Sequence, residues 1–219
     1  MSSLDEWLAA TTPFHTFESC DVAKLNLVLA AITEAPDPQS EALTEMLKHP
    51  EISERLESQG ITDITGRDDI SWDNATLAWL CSLPNNSGLP KPLGSDKARE
   101  RLGRYSWGDG NPLSYLSEFI TPLDDGEELL ASIDLLANRF AAKNVGHDEF
   151  RTGSGGMCLL GYQSVDEANE LRRLLTKGKW AVSSEEIYDG GVREIAKHLI
   201  VVLRQATSKG WGVLLRAHK

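Results

Sequence analysis

The residues that could act as a nucleophile and its base lie between positions 145 and 158. Cys158 follows a glycine-rich segment, and His147 and Asp148 stand shortly before that segment. A thiol nucleophile needs a neighbouring base and a group that orients the base, and the intervening glycines could bring these side chains together. Cys158 also lies in an apolar run, where a thiol usually packs as a small hydrophobe. A small hydrolase-like enzyme that uses this 145–158 loop is therefore an alternative hypothesis, and we assign no catalytic residue.

Metal and phosphate sites lack their usual motifs in this chain. The five histidines never occur in paired spacing, and there is no Cys-x-x-Cys motif, so the pattern does not indicate a metal site. Residues 152–156 are rich in glycine but lack the Gly-Lys-Ser/Thr ending of a phosphate-binding loop. The sequence therefore predicts no metal and no cofactor.

One local basic cluster stands directly before Tyr105 and Trp107. Its cations are Lys97, Arg99, Arg101 and Arg104. Cations interleaved with aromatic rings can hold single-stranded nucleic acid. However, Asp96 and Glu100 interrupt the cluster, and the whole chain has 33 acidic and 22 basic side chains, a net charge of −11. We therefore expect no nucleic-acid partner.

Negative charge is concentrated in the first 73 residues, which hold 15 acidic and 4 basic side chains. Residues 74–104 have a net charge of +3, and residues 105–219 a net charge of −3. A negative field repels nucleic acid and anionic membranes and attracts a basic protein over a Debye length of about 8 Å. Solvated helix faces are the alternative explanation of the same charge.

The composition is that of a globular protein, with 41% hydrophobic residues in a chain of 219. Acidic residues occupy the start, where a signal peptide would have a basic segment, and no run approaches the roughly 18 apolar residues of a membrane span. The three cysteines are odd in number and widely separated, which fits reduced thiols. We expect a cytoplasmic protein without a membrane partner.

Helical signals dominate the first two thirds of the chain. Asp21 and Ser40 can cap helices, and the helix after Ser40 is predicted to bury one face. That face consists of Leu43, Met46 and Leu47. The Pro- and Gly-rich segments 83–94 and 105–112 predict loops.

The C-terminal part predicts strands as well as helices. Residues 157–162 are a compact apolar run typical of a buried strand, and Ser164 and Glu167 have capping-box spacing. A long helix is predicted before Gly210, and alternating residues 211–217 predict a terminal strand. We therefore expect an α+β fold, predominantly helical, with a small C-terminal β-sheet packed by helices.

The expected organisation is an acidic helical region over residues 1–110 and an α+β region over residues 111–219, which ends in the order strand, helix, helix, strand. The loops predicted at 83–94 and 105–112 mark the boundary between these two regions. One continuous domain is the alternative, because the length also suits a single large domain.

Two C-terminal segments carry a family resemblance. Residues 160–169 read Leu-Gly-Tyr-Gln-Ser-Val-Asp-Glu-Ala-Asn, and residues 209–215 read Lys-Gly-Trp-Gly-Val-Leu-Leu. Together with the long helix between them, they resemble small bacterial domains of unknown function of the YfbM-like type. In those domains a strand ending in Gly-Tyr or Gly-Phe leads into a capped helix, a second helix follows, and a short strand closes the chain. The resemblance covers residues 157–217 and implies a fold, with no catalytic residue to carry over.

These observations favour a non-catalytic protein-interaction module, immunity- or inhibitor-like, whose acidic N-terminal surface binds a basic protein partner such as a toxin or nuclease. Tryptophans often anchor interfaces, and we expect Trp107, in its glycine-bounded loop, to be exposed. The predicted partner-binding residues are Asp63, Asp68, Asp69, Asp73, Trp107 and Asp109.

Overall fold

The computed structural model describes residues 13–34, 39–61, 74–84, 92–123, 126–141, 156–177 and 179–218. Its helices are α1 (Val22–Glu34), α2 (Glu41–Lys48), α3 (Pro50–Ser58), α4 (Asn74–Cys81), α5 (Asp96–Gly103), α6 (Pro112–Phe119), α7 (Glu127–Asn138), α8 (Val165–Thr176) and α9 (Gly191–Thr207). Its strands are β1 (Phe14–Cys20), β2 (Ile120–Pro122), β3 (Met157–Gln163), β4 (Trp180–Val182) and β5 (Gly212–His218).

Three strands form an antiparallel sheet in the order β1–β5–β3. The last strand, β5, lies in the centre, where Leu215 pairs with Phe17 of β1 and with Gly161 of β3. The sheet therefore combines one strand from the beginning of the chain with two from its end. Residues of the 1–110 and 111–219 regions share it.

Each face of this sheet is covered by its own group of helices. Phe17, Val213 and Leu215 belong to the hydrophobic cluster formed with α6–α9, and we call this side the α6–α9 face. Leu159, Tyr162 and Leu214 belong to a second cluster, formed with α1–α4, on the α1–α4 face. Since side chains alternate along a strand, a central strand covered on both faces must be apolar at successive positions, as the Val-Leu-Leu run of β5 is.

A second, two-stranded sheet pairs β2 with β4, with Ile120 opposite Val182. The Ser183 backbone N–H extends this pairing by donating to the carbonyl oxygen of Phe119 at 2.8 Å. These bonds hold the segment that leads from β4 into α9 against the end of α6.

The α+β fold predicted from the sequence is confirmed, and so are several helix starts. The Ser40 hydroxyl accepts from the Leu43 N–H at 3.2 Å. Ser164 and Glu167 form the predicted capping box, with reciprocal bonds of 3.2 and 2.7 Å. These signals are local, involving residues three positions apart, so the sequence alone contains them.

The strand β1 was missed by the sequence patterns. Its residues Phe-His-Thr-Phe-Glu-Ser-Cys mix polar and apolar types without clean alternation, yet His15, Thr16 and Glu18 are buried. The expected order of strand, helix, helix, strand is also incomplete, because β4 lies between α8 and α9. Leu47, predicted to be on the buried face of its helix, is 44% exposed.

Within the described ranges, no helix is both long enough and apolar enough to cross a lipid bilayer.

Candidate functional site

The outward faces of α2 and α3 form the described part of the acidic N-terminal surface. Glu41 and Glu45 of α2 and Glu54 and Glu57 of α3 are exposed. Lys48 is also exposed and lies 3.2 Å from Glu45. Four glutamates therefore face solvent here against one lysine, and that lysine is already paired.

Two other cations of this region point inward. Lys24 is only 5% exposed and Arg55 only 9%. The Lys24 ammonium lies between Asp21 and Glu51. The Arg55 guanidinium donates to the carbonyl oxygen of Leu80 at 2.7 Å, and desolvation by burial lowers its pKa. Both groups are thus turned away from solvent, so the exposed charges of α2 and α3 are four carboxylates and one ammonium group.

Four predicted partner-binding residues, Asp63, Asp68, Asp69 and Asp73, lie outside the described residues. Their assignment to the partner-binding surface stays a prediction. The other two, Trp107 and Asp109, lie in the loop between α5 and α6.

The expected exposure of Trp107 is wrong: the indole is half-buried. It packs edge-on against Tyr115 and Phe119 of α6, with ring centroids 5.5 and 5.6 Å away. Asp109 is exposed, and its carboxylate accepts from the Asn111 N–H at 3.0 Å. Trp107 therefore anchors the loop to α6, while Asp109 supports the turn that leads into the helix.

The segment between β4 and α9 packs against this loop. Tyr188 stacks on Tyr115 with centroids 5.6 Å apart, and its hydroxyl donates to the Ser106 carbonyl oxygen at 2.5 Å. The Tyr188 backbone N–H donates to the Tyr115 hydroxyl at 3.0 Å. No local sequence pattern connects these two segments, which are about 80 residues apart in the chain.

The side chain of Glu186, in the segment before α9, binds backbone N–H groups at the beginning of this helix. Its carboxylate accepts from the backbone N–H groups of Val192 at 2.6 Å and Gly190 at 3.3 Å. A carboxylate is favoured at the positive end of the helix dipole. The Tyr115 hydroxyl lies 3.5 Å from the same carboxylate, and burial raises the pKa of Tyr115. Burial, with the neighbouring Tyr115, also raises the pKa of Tyr105, so both phenols are neutral at pH 7.

We call the exposed acidic and apolar residues of these two segments, together with the half-buried Trp107, the aromatic loop surface. It consists of Trp107, Asp109, Glu185, Ile187, Tyr188 and Asp189. It lies on the α6–α9 side of the molecule, whereas α2 and α3 pack on the opposite face of the sheet. The structure therefore separates Trp107 and Asp109 from the acidic faces of α2 and α3.

Cys158 is buried in β3, on the α6–α9 face, and pairs with Ala217 of β5. On the other side of Ala217 lies His15 of β1, so these two side chains share a face but stand two strand spacings apart, roughly 10 Å between backbones. Burial lowers the pKa of His15, while Asp109 and the carbonyls of Pro13 and Gly103 act to raise it.

His147 and Asp148 lie outside the described residues, so the hydrolase-like alternative stays a prediction.

The other two cysteines are chemically quiet. Burial raises the pKa of Cys20 and of Cys81 to about 12. Since the thiolate is the reactive form, both thiols are inert at neutral pH and serve as small core residues.

The basic cluster of the sequence lies on α5 and just after it. Lys97, Arg99 and Arg104 are exposed, and the Arg104 guanidinium lies 5.7 Å from the centre of the Phe14 ring. A separate shallow cleft between α7 and α8 is lined by Arg173, Lys177 and Lys179. Glu128 lines the same cleft and Glu170 binds Arg173, so the cleft is of mixed charge.

A buried ion pair on the α1–α4 face was not predicted. Glu18 of β1 is 1% exposed, and its carboxylate accepts from the Arg216 guanidinium of β5 at 2.7 Å. The Trp79 indole N–H of α4 donates to the second carboxylate oxygen at 2.6 Å. The Arg216 guanidinium also lies 5.0 Å from the Trp79 ring centre. The only sequence signal is one charged residue in each strand, and it has meaning only once the strand pairing is known.

Comparison with protein-family models, with curated proteins and with solved structures finds no match for this chain. The resemblance to YfbM-like domains therefore stays a prediction, and the arrangement of the residues described above is the basis for a functional proposal.

Proposed function

We propose that this chain is a non-catalytic, cytoplasmic protein-interaction module, immunity- or inhibitor-like, whose acidic N-terminal surface binds a basic protein partner such as a nuclease toxin. The observation that carries the proposal is the separation of charge around α2 and α3. Glu41, Glu45, Glu54 and Glu57 face solvent, while Lys24 and Arg55 are buried.

This separation matters because it leaves carboxylates, and not Lys24 or Arg55, at the surface that a partner meets. A buried cation paired with a carboxylate contributes little to the field at a distance, whereas four exposed carboxylates on consecutive helices add to one another. A field of this kind accelerates the encounter with a positively charged protein by 10-fold or more at low salt. The sign of the field also disfavours nucleic acid as the partner.

One of the two acidic helices also has an exposed apolar side chain. Leu47 is 44% exposed, on the same helix as Glu41 and Glu45. Interfaces combine a desolvated apolar contact, which slows dissociation, with surrounding charge, which sets the rate and specificity of association. The glutamates supply the charge, and Leu47 lies on another side of α2, about 120° or more around the helix axis from Glu41 and Glu45.

The test begins with capture of a partner from an extract of the native host at low salt, followed by purification of the captured protein. Its association rate with the wild-type chain is then measured between about 20 and about 150 mM salt. We expect the rate to fall steeply over this range, because the Debye length shortens to about 8 Å. The variant with Glu41→Gln, Glu45→Gln, Glu54→Gln and Glu57→Gln should associate about tenfold more slowly at the lower salt concentration.

The matched control removes four exposed acids from the other side of the molecule, with Glu118→Gln, Glu127→Gln, Glu128→Gln and Asp134→Asn. We expect this control to keep most of the association rate. A rate that does not depend on salt, or an equal loss in the two variants, would contradict the proposal.

A further inference from the structure

Two adjacent apolar side chains project from the aromatic loop surface. Among the described residues, four large apolar side chains are exposed, and two of them are the neighbours Ile187, at 60%, and Tyr188, at 38%. Isolated exposed apolar residues are common on protein surfaces. Two adjacent ones in the segment between β4 and α9, which is bonded to the loop of the half-buried Trp107, expose more apolar surface than a single side chain does.

The segment that presents these side chains is held in place from several sides. Tyr188 is bonded through both its backbone N–H and its hydroxyl. Glu186 is bonded to the first turn of α9, and Ser183 continues the small β2–β4 sheet. A surface that is already ordered before binding loses little conformational entropy when a partner docks. Tyrosine is well suited to this role because it offers a large contact area with few rotatable bonds.

Exposed carboxylates lie on the same two segments as the apolar pair. Asp109 lies on one loop of this surface, and Glu185 and Asp189 lie on the other. Along the chain, the exposed cations that flank these two segments are Arg104, which lies over the Phe14 ring, and Arg193, in the first turn of α9. Acidic side chains therefore predominate around Ile187 and Tyr188.

We propose that the aromatic loop surface docks a basic segment of a protein partner. An apolar side chain of that segment packs on Ile187 and Tyr188, and its lysines or arginines lie beside Asp109, Glu185 and Asp189. An arginine can also stack on the exposed part of the Tyr188 ring. This inference rests on the proposed function for the charge of the partner, and it adds a second contact surface, on the side of the sheet opposite to α2 and α3.

Charge complementarity selects this occupant over a second copy of the chain. A symmetric dimer through this surface would bring Asp109, Glu185 and Asp189 of one copy against the same residues of the other, and like charges across an interface are unfavourable. A partner with cations around an apolar residue removes this repulsion and gains attraction.

The experiment uses the full chain and an array of nine-residue peptides. One set has a central leucine or phenylalanine flanked by lysine and arginine. A second set has the same centre flanked by glutamate, and a third keeps the basic flanks around a central serine. We expect the wild-type chain to bind the first set more tightly than the other two, since only that set matches both the apolar pair and the acids.

Two variants locate the binding site. Ile187→Ser should weaken binding of the first set by about tenfold, because it removes the burial of one large aliphatic side chain. Glu185→Gln combined with Asp189→Asn should weaken binding at low salt and leave less salt dependence. Leu123→Ser is the matched control, since Leu123 is 47% exposed but lies after β2, outside this surface.

Several results would overturn the inference: no preference for the first peptide set, an equal loss with Leu123→Ser, or reversible self-association of the wild-type chain that Ile187→Ser abolishes. Circular dichroism and thermal unfolding of each variant verify that the fold is intact. The glutamine variant of α2 and α3, assayed with the captured partner, tests the proposed function separately. A failure of the docking surface can therefore be distinguished from a failure of the proposed function.

Discussion

At the scale of single residues, the contact between Glu18 and Arg216 joins the two ends of the chain. The carboxylate is almost completely buried, and it is bonded by both the Arg216 guanidinium and the Trp79 indole. Burying a charge is unfavourable unless it is paired and its remaining acceptor positions are hydrogen-bonded. Both conditions are met here, so removal of one partner leaves the other as an uncompensated buried charge.

Glu18→Gln is therefore expected to lower the free energy of unfolding by about 3 kcal/mol or more, because it leaves the Arg216 charge buried without its counter-charge. Urea unfolding at pH 7 measures this change. The double variant Glu18→Leu with Arg216→Met should recover part of the loss, since no buried charge remains. Glu45→Gln, which breaks the exposed pair with Lys48, should cost less than about 1 kcal/mol. If the two single variants lower the free energy of unfolding equally, the buried pair stabilises the protein no more than the exposed pair does.

At the scale of elements, β3 passes very close to α7. A side-chain carbon added at Gly161 would lie 2.6 Å from the carbonyl oxygen of Leu135 and would also overlap that of Leu136. These are backbone atoms of α7, which cannot move aside as a flexible side chain can. The strand also has an irregularity between Leu159 and Gly161, which adjusts its pairing with β5 next to this contact.

Gly161→Ala should thus destabilise the protein by about 3 kcal/mol, because β3 and α7 must separate to admit one methyl group. Thermal or urea unfolding provides the measurement. Gly210→Ala is a suitable comparison, since Gly210 has a φ of 74° and open space around it. It carries only the cost of a left-handed backbone, about 1 kcal/mol. If Gly161→Ala costs no more than Gly210→Ala, the close approach of β3 to α7 is not rigid.

At the scale of the whole molecule, the sheet is the structure that unites the helices. Its central strand β5 pairs with β1 on one side and β3 on the other, and the clusters of α1–α4 and α6–α9 each pack on one of its faces. Neither helical group can keep its packing surface if the sheet is lost. The two regions therefore depend on the same backbone pairing.

For this reason we expect the chain to unfold in a single cooperative transition. Tryptophan fluorescence and far-ultraviolet circular dichroism should give the same urea midpoint, with Trp79 on one side of the sheet and Trp107 on the other as the main probes. Two separate transitions would instead support independent units over residues 1–110 and 111–219.

Local signals in the sequence determined much of the fold. Helix starts at Asp21, Ser40 and Ser164 depend on bonds between residues three positions apart, and β5 depends on its own apolar pattern. The excess of acidic side chains near the N-terminus is likewise a property of composition, and it remains after folding. Each of these features is present in a short stretch of chain and needs no distant partner.

Tertiary structure alone decided the position of β1, the direction of Lys24 and Arg55, and the location of Trp107. Glu18 can occupy a buried strand only because Arg216, far away in the chain, and Trp79 bind its carboxylate.

Ile187 and Tyr188 became a candidate surface only because Tyr188 reaches Ser106 across about 80 residues. The sequence determined how many charged and apolar side chains the chain has. Long-range contacts, which leave no local pattern, decided which of these side chains face solvent.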